Sequence, residues 1–133
     1  RTPILLAQLD TRDPQLLAAA LKILTRSRNA EVAKTILRHI EAPDFESRSE
    51  ENQRALFAAL GEAADDSAVP ALVLLLHKGG WFARRTFQRL AAARTLQRIG
   101  TDKAVAALDM GLRSHNEAVR GAVYEALQAK VTP

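Results

Sequence analysis

The chain has 133 residues and no cysteine. That excludes disulfides, thiolate nucleophiles and zinc–thiolate sites, while leaving the redox compartment open. Aromatic residues are also scarce: one tryptophan, one tyrosine and four phenylalanines. With β-branched residues sparse as well, the usual strand formers are missing, and the dominant alanine and leucine favour helix. No apolar run approaches the roughly 18 residues that a membrane span needs. The longest, Ala68 to Leu76, is interrupted by Pro70. No signal-peptide pattern opens the chain. It starts on Arg1 rather than methionine, which reads as a trimmed start, and a cytoplasmic setting is the expectation.

Chemistry-bearing patterns are equally thin. His39, His77 and His115 are scattered, none at metal spacing from another. No apolar stretch isolates a pair of carboxylates as an acid/base couple would require. Gly79-Gly80 is not followed by the lysine and hydroxyl of a phosphate loop. The chain therefore reads as a non-enzyme with no metal and no cofactor. Its net charge of +4 is compatible with an anionic partner but far from that of a dedicated nucleic-acid binder.

What is present is an apolar fraction of 47%, enough to build a core in a chain of one-domain size. Turn and cap signals divide it into eight helices. PILLAQL opens with Pro3 in a first turn. Asp13 caps a second helix with Pro14 at its first position, and Asn29 caps a third with Val32, Ala33, Ile36 and Ile40 on one face. Residues 41–52 form a longer connection, with Ser47 and Glu50 at capping-box spacing. A fourth helix runs to about Ala64. A fifth, Ala68 to Lys78, points Val69, Leu72, Val73 and Leu76 inward. The sixth ends at Gly100, the seventh is capped by Asp102, and Ser114 with Glu117 repeats the capping-box spacing before the eighth.

These helices repeat as pairs. Arg89 to Leu96 matches Arg120 to Leu127, with arginine and leucine in register 31 residues apart. Val69, Leu72 and Leu76 align with Val105, Leu108 and Leu112, 36 residues on, and with Ala33, Ile36 and Ile40, 36 residues back. Four pairs, at about 1–26, 27–64, 65–100 and 101–131, predict an all-α solenoid in a single domain. One pair has apolar surface on two sides and cannot bury it alone. Small residues such as Ala91 to Ala93 and Ala18 to Ala20 let stacked helices approach.

The motif Val119-Arg120…Ala122…Ala126-Leu127, within TDKAVAALDMGLRSHNEAVRGAVYEAL, resembles short HEAT repeats of the bacterial, PBS-lyase-like kind. The resemblance is strongest over residues 55–130. It implies a right-handed superhelix of antiparallel helix pairs that serves as a protein-interaction scaffold, as part of a larger bacterial protein or complex. A lyase-accessory role is the enzymatic variant it suggests. It also implies that Arg89 and Arg120 bind neighbouring turns to support the stack, with Leu96 and Leu127 as their core companions. Pro14 and Gln53 stand where the motif arginine would be, so the first two pairs must be held differently.

Two connections depart from the repeat. Residues 41–52 carry Glu41, Asp44, Glu46, Glu50 and Glu51 against Arg48; residues 77–86 carry Lys78, Arg84 and Arg85 with Trp81 and Phe82. Such departures are where solenoids tend to place function. Gly80 to Gly100 holds five arginines and no acidic residue. Arg84 and Arg85 fall at a helix N-terminus, where the dipole disfavours cations, so an anion such as a phosphate or a partner carboxylate would suit them. Arg94 and Arg98, near the other end, need no such explanation. Two readings stand. In one, the acidic and basic connections pair with each other while Trp81, Phe82 and Phe87 fold back as packing. In the other, Lys78, Trp81, Phe82, Arg84 and Arg85 form a partner site. A protein partner is the first expectation, and duplex DNA bound through the arginine-rich loop and helix 78–98 is the alternative. Tyr124 reads as a partly buried packing residue.

Overall fold

A computed structural model of the chain describes the backbone of residues 2–78 and 85–131 and the side chains of residues 3–78 and 87–128. Every regular element among the described residues is helical. The chain divides into two compact units, Arg1–Asp65 and Asp66–Pro133. The boundary falls between the second and third helix pairs.

The first unit holds α1 (Thr2–Ala7), α2 (Pro14–Leu24), α3 (Ala30–Glu41) and α4 (Glu50–Ala63), with short 3-10 turns at Gln8–Asp10 and Phe45–Ser47. The α2 start follows from its sequence: Pro14 takes the first position, and the Asp13 side chain accepts from Gln15 N and Leu16 N. Asn29 caps α3 in the same way. α4 packs against both α2 and α3. Leu9, Leu17, Ile36, Leu56 and Leu60 are fully enclosed between them. The rings of Phe45 and Phe57 meet edge to face, with centroids 5.7 Å apart. The α3–α4 pair is closed at its open end by backbone: Asn29 N donates to Ala63 O at 3.1 Å. Arg28 adds a guanidinium bond to Ala64 O.

The second unit holds a 3-10 turn at Asp66–Ala68, then α5 (Val69–Lys78), α6 (Arg85–Ile99), α7 (Asp102–Leu112) and α8 (Glu117–Val131). α6 is central, packing on α5, α7 and α8. Leu72, Leu76, Leu96, Val119 and Val123 form the sealed core. Gly100, at φ +69°, ends α6 in the left-handed region that glycine enters without strain. Gly111 allows α7 to lie close to α8: a Cβ there would stand 2.7 Å from Val123 Cγ2.

The structure moves several cap assignments by one or two residues. α4 is capped by Ser49, which accepts from Asn52 N, while the Ser47 hydroxyl donates to Asp44 O. Thr101, not Asp102, caps α7 by accepting from Ala104 N. Ahead of α8, Asn116 accepts from Ala118 N, and Ser114 only steadies Asn116 N. In each case the capping side chain belongs to the residue immediately before the first helical one. The face of α7 also differs from the repeat alignment. Ala104, Leu108 and Gly111 are buried, while Val105 and Leu112 are exposed. Tyr124, expected to be partly buried, is 62% exposed. The helices α7 and α8 have covered neighbours on one side only within their unit, so the aligned apolar positions on the other side stay open.

Candidate interaction surface

The basic connection between α5 and α6 is defined at its two ends. Lys78 is the last residue of α5 and is exposed. α6 begins at Arg85, with no acidic residue in its first turn. Trp81, Phe82 and Arg84 lie outside the described residues, and Arg85 is described by its backbone alone. Phe87 is part-buried. One turn into α6, Arg89 is only 8% exposed, and its Nη2 donates to Lys78 O at 3.3 Å. That bond ties the end of α5 to the start of α6. Arg89 Nη1 and the neighbouring Gln88 Nε2 are buried and make no hydrogen bond among the described residues. Buried donors without acceptors are costly, so two of them together at one helix start form a place where an acceptor is wanted.

The rest of the α6 arginines are differently engaged. Arg94 approaches Glu125 of α8 at 3.9 Å, both largely exposed. An exposed pair of this kind contributes about 0–1 kcal/mol. Arg120 on α8 repeats the Arg89 arrangement: its Nη1 donates to Ser114 O at 2.6 Å, again a carbonyl just ahead of its own helix. Leu96 is fully buried and Leu127 part-buried, as companions of these arginines.

Gln53, at the same motif position on α4, does the equivalent work with an amide. It is fully buried, and its Nε2 donates to Arg48 O at 2.9 Å. Pro14 has no side-chain donor, and there the tie comes from the opposite direction. Arg48 is 4% exposed; its Nη2 donates to Leu9 O at 2.6 Å and its Nη1 to Thr11 O at 3.2 Å. Asn52 Nδ2 donates to Arg12 O at 3.0 Å. A polar clamp from the α3–α4 connection thus holds the turn between α1 and α2. His39 borders it, with Nδ1 3.3 Å from Arg48 Nη2 and 3.9 Å from Asp10 Oδ1. Burial pushes the His39 imidazole below its ordinary value; Asp10 opposes this and Arg48 adds to it. Burial lowers Arg48 as well, helped by Arg12 and opposed by Asp44 and Asp10.

In sequence Arg48 counted as one positive charge within an acidic connection. It is in fact the buried anchor of the unit. The signal available was its position as the lone cation among five carboxylates, next to an apolar Phe45. The acidic connection is also less free than its composition suggests. Asp44 bonds Arg12 at 2.9 Å, and Glu50 bonds Arg54 at 3.2 Å along α4. Among the described residues no group of histidines and carboxylates could hold a metal ion, and no helix is long and apolar enough to cross a membrane.

Antiparallel helix pairs, three of them steadied by a glutamine or arginine on the second helix and the first by Arg48, define an α-helical repeat protein. A family model for HEAT repeats matches residues 45–128, and the chain belongs to that family. The match begins just where Phe45 and Arg48 enter the fold, and it takes in α4 to α8. No curated protein and no solved structure matches the chain.

Proposed function

We propose that this chain is a non-enzymatic protein-interaction module whose partner site lies at the α5–α6 connection and takes an acidic segment of another protein. The observation that carries the reading is the pair of buried donors, Arg89 Nη1 and Gln88 Nε2, which have no hydrogen-bond partner among the described residues, at a helix start flanked by Lys78 and Arg85. A carboxylate from outside would supply the missing acceptor, and the helix dipole would favour its charge. Trp81 and Phe82, between these cations in sequence, would give apolar contact beside it. HEAT repeats typically bind protein partners, which supports the protein class over others.

The test is fluorescence anisotropy with a labelled glutamate- and aspartate-rich peptide, a lysine-rich control and a labelled DNA duplex, each across a salt series. The acidic peptide should bind, and Arg84→Ala with Arg85→Ala should weaken it at least tenfold. Binding of duplex DNA with a steep salt dependence would instead favour nucleic acid as the ligand. If neither probe binds at low salt, the reading fails.

A further inference from the structure

We infer that the acidic partner segment is amphipathic, and that its apolar side chains rest on Leu74 of α5 and Met110 of α7. The inference rests on the reading of the α5–α6 connection given above and supplies the apolar half of the partner. Both side chains are 63% exposed. They hold the same place on successive first helices, 36 residues apart. The packing agrees with that register: α5 lies against α7, and a Cβ on Gly111 would stand 3.5 Å from Leu76 Cδ2. One turn earlier the equivalent residues are Pro70 and Ala106, also exposed. Axes of packed helices lie about 8–10 Å apart, so the four make one apolar strip across two helices, not scattered single residues. On α3 the same two positions are Lys34 and Arg38, both exposed. The place therefore faces water and accepts charge, and the core does not require apolar residues there.

The charge around the strip says what covers it. From Ala68 to Thr101 the chain has six lysines and arginines and no carboxylate. Lys78 follows Leu74 by one turn, about 6 Å along α5, and Lys103 precedes Ala106 by one turn on α7. Both lysines are exposed. The two helices carry two carboxylates: Asp102 at the first position of α7, and Asp109, which Arg113 holds at 2.6 Å. A segment with carboxylates on either side of its apolar residues would meet a lysine at each end of the strip, with leucine and methionine between. The unbranched methionine adapts to apolar side chains of varied shape. The strip runs directly into Lys78, so it is continuous with the partner site and takes the same partner.

Fluorescence anisotropy with three labelled peptides tests it. The first contains Glu, Asp, Ser and Gly. The second has leucine in place of two serines three positions apart, a separation of about 10 Å in an extended chain. The third is the second with lysine for every acid. The leucine-bearing acidic peptide should bind about tenfold tighter than the first. Leu74→Ala with Met110→Ala should remove that advantage and leave the all-acidic affinity within about twofold. Val105→Ala, exposed elsewhere on α7, should keep it. Circular dichroism should show unchanged helix content, because all three side chains are exposed. If the all-acidic peptide binds and leucine adds nothing, the strip is not part of the site and this inference fails while the α5–α6 reading stands. An advantage that survives in the double variant overturns it too, since the apolar contact then lies elsewhere. Equal binding of the lysine-bearing peptide overturns the acidic partner for this face. If neither acidic peptide binds, the α5–α6 reading fails and this inference with it. Sedimentation velocity completes the test: self-association of the wild type that the double variant abolishes would give the strip to a second copy of the chain instead.

Discussion

Arg48 Nη2 donates to Leu9 O at 2.6 Å across 39 residues of sequence, from a side chain that is 4% exposed. The cation faces carbonyl dipoles rather than a carboxylate, and its removal would take a donor from the buried Leu9 carbonyl and from the part-buried Thr11 carbonyl. Arg48→Ala should therefore cost about 2–4 kcal/mol. Arg12→Ala, which removes the exposed pair with Asp44, should cost no more than about 1 kcal/mol. Urea denaturation of both variants measures the difference.

His39 makes the first unit sensitive to acid. Its Nδ1 lies beside the Arg48 guanidinium, which can only donate, so the imidazole must be neutral to accept. Its folded pKa is lowered from 6.5, chiefly by burial, so the folded chain binds fewer protons than the unfolded one. The contribution is present above about pH 6.5 and is lost as pH falls through the folded value. Melting temperatures of the wild type and His39→Asn, taken from about pH 7.5 down to about pH 5, should converge as the pH drops. A constant gap would show that His39 does not titrate against the clamp.

Two glycines of the second unit should respond in opposite directions to alanine. At Gly111 the new methyl meets Val123 Cγ2 at 2.7 Å, so Gly111→Ala should destabilise by about 1–3 kcal/mol. At Gly121 nothing lies within 4 Å, and Gly121→Ala should stabilise by about 0.5–1 kcal/mol through helix propensity. Thermal melts of the two single variants check both signs.

Leu96 is fully buried in the register set by Arg89. Leu96→Ala should cost about 2–5 kcal/mol. A cost near zero, measured by chemical denaturation, would show that the core of the second unit is not built around this position.

The helices were legible because their signals are local. Asp13, Asn29 and Gly100 act within one turn of themselves, and their roles could be read directly. The apolar faces of α3 and α5 followed from spacing for the same reason. The α7 face did not follow, because spacing states which residues share a side and not whether anything covers it. Val105 and Leu112 share a face with Leu108 and still meet water. The Arg48 clamp was hidden for a different reason. A buried guanidinium bound to carbonyls has no partner residue type that could mark it, and its acceptors are 37 and 39 residues away. Arg89 bonds the end of α5. Its second donor, left without an acceptor, could not be seen without burial.

The long reach of the Arg48 bonds also orders events in time. During synthesis α1 and α2 appear first, but the donors that fix the turn between them arrive some forty residues later, at Arg48 and Asn52. Until the α3–α4 hairpin forms, that turn must stay hydrated, since closing so long a loop brings no return before its bonds can be made. The opening helices of the chain are thus the last part of their unit to become permanent. Pulsed hydrogen exchange during refolding should find the amides of α4 protected before those of α2.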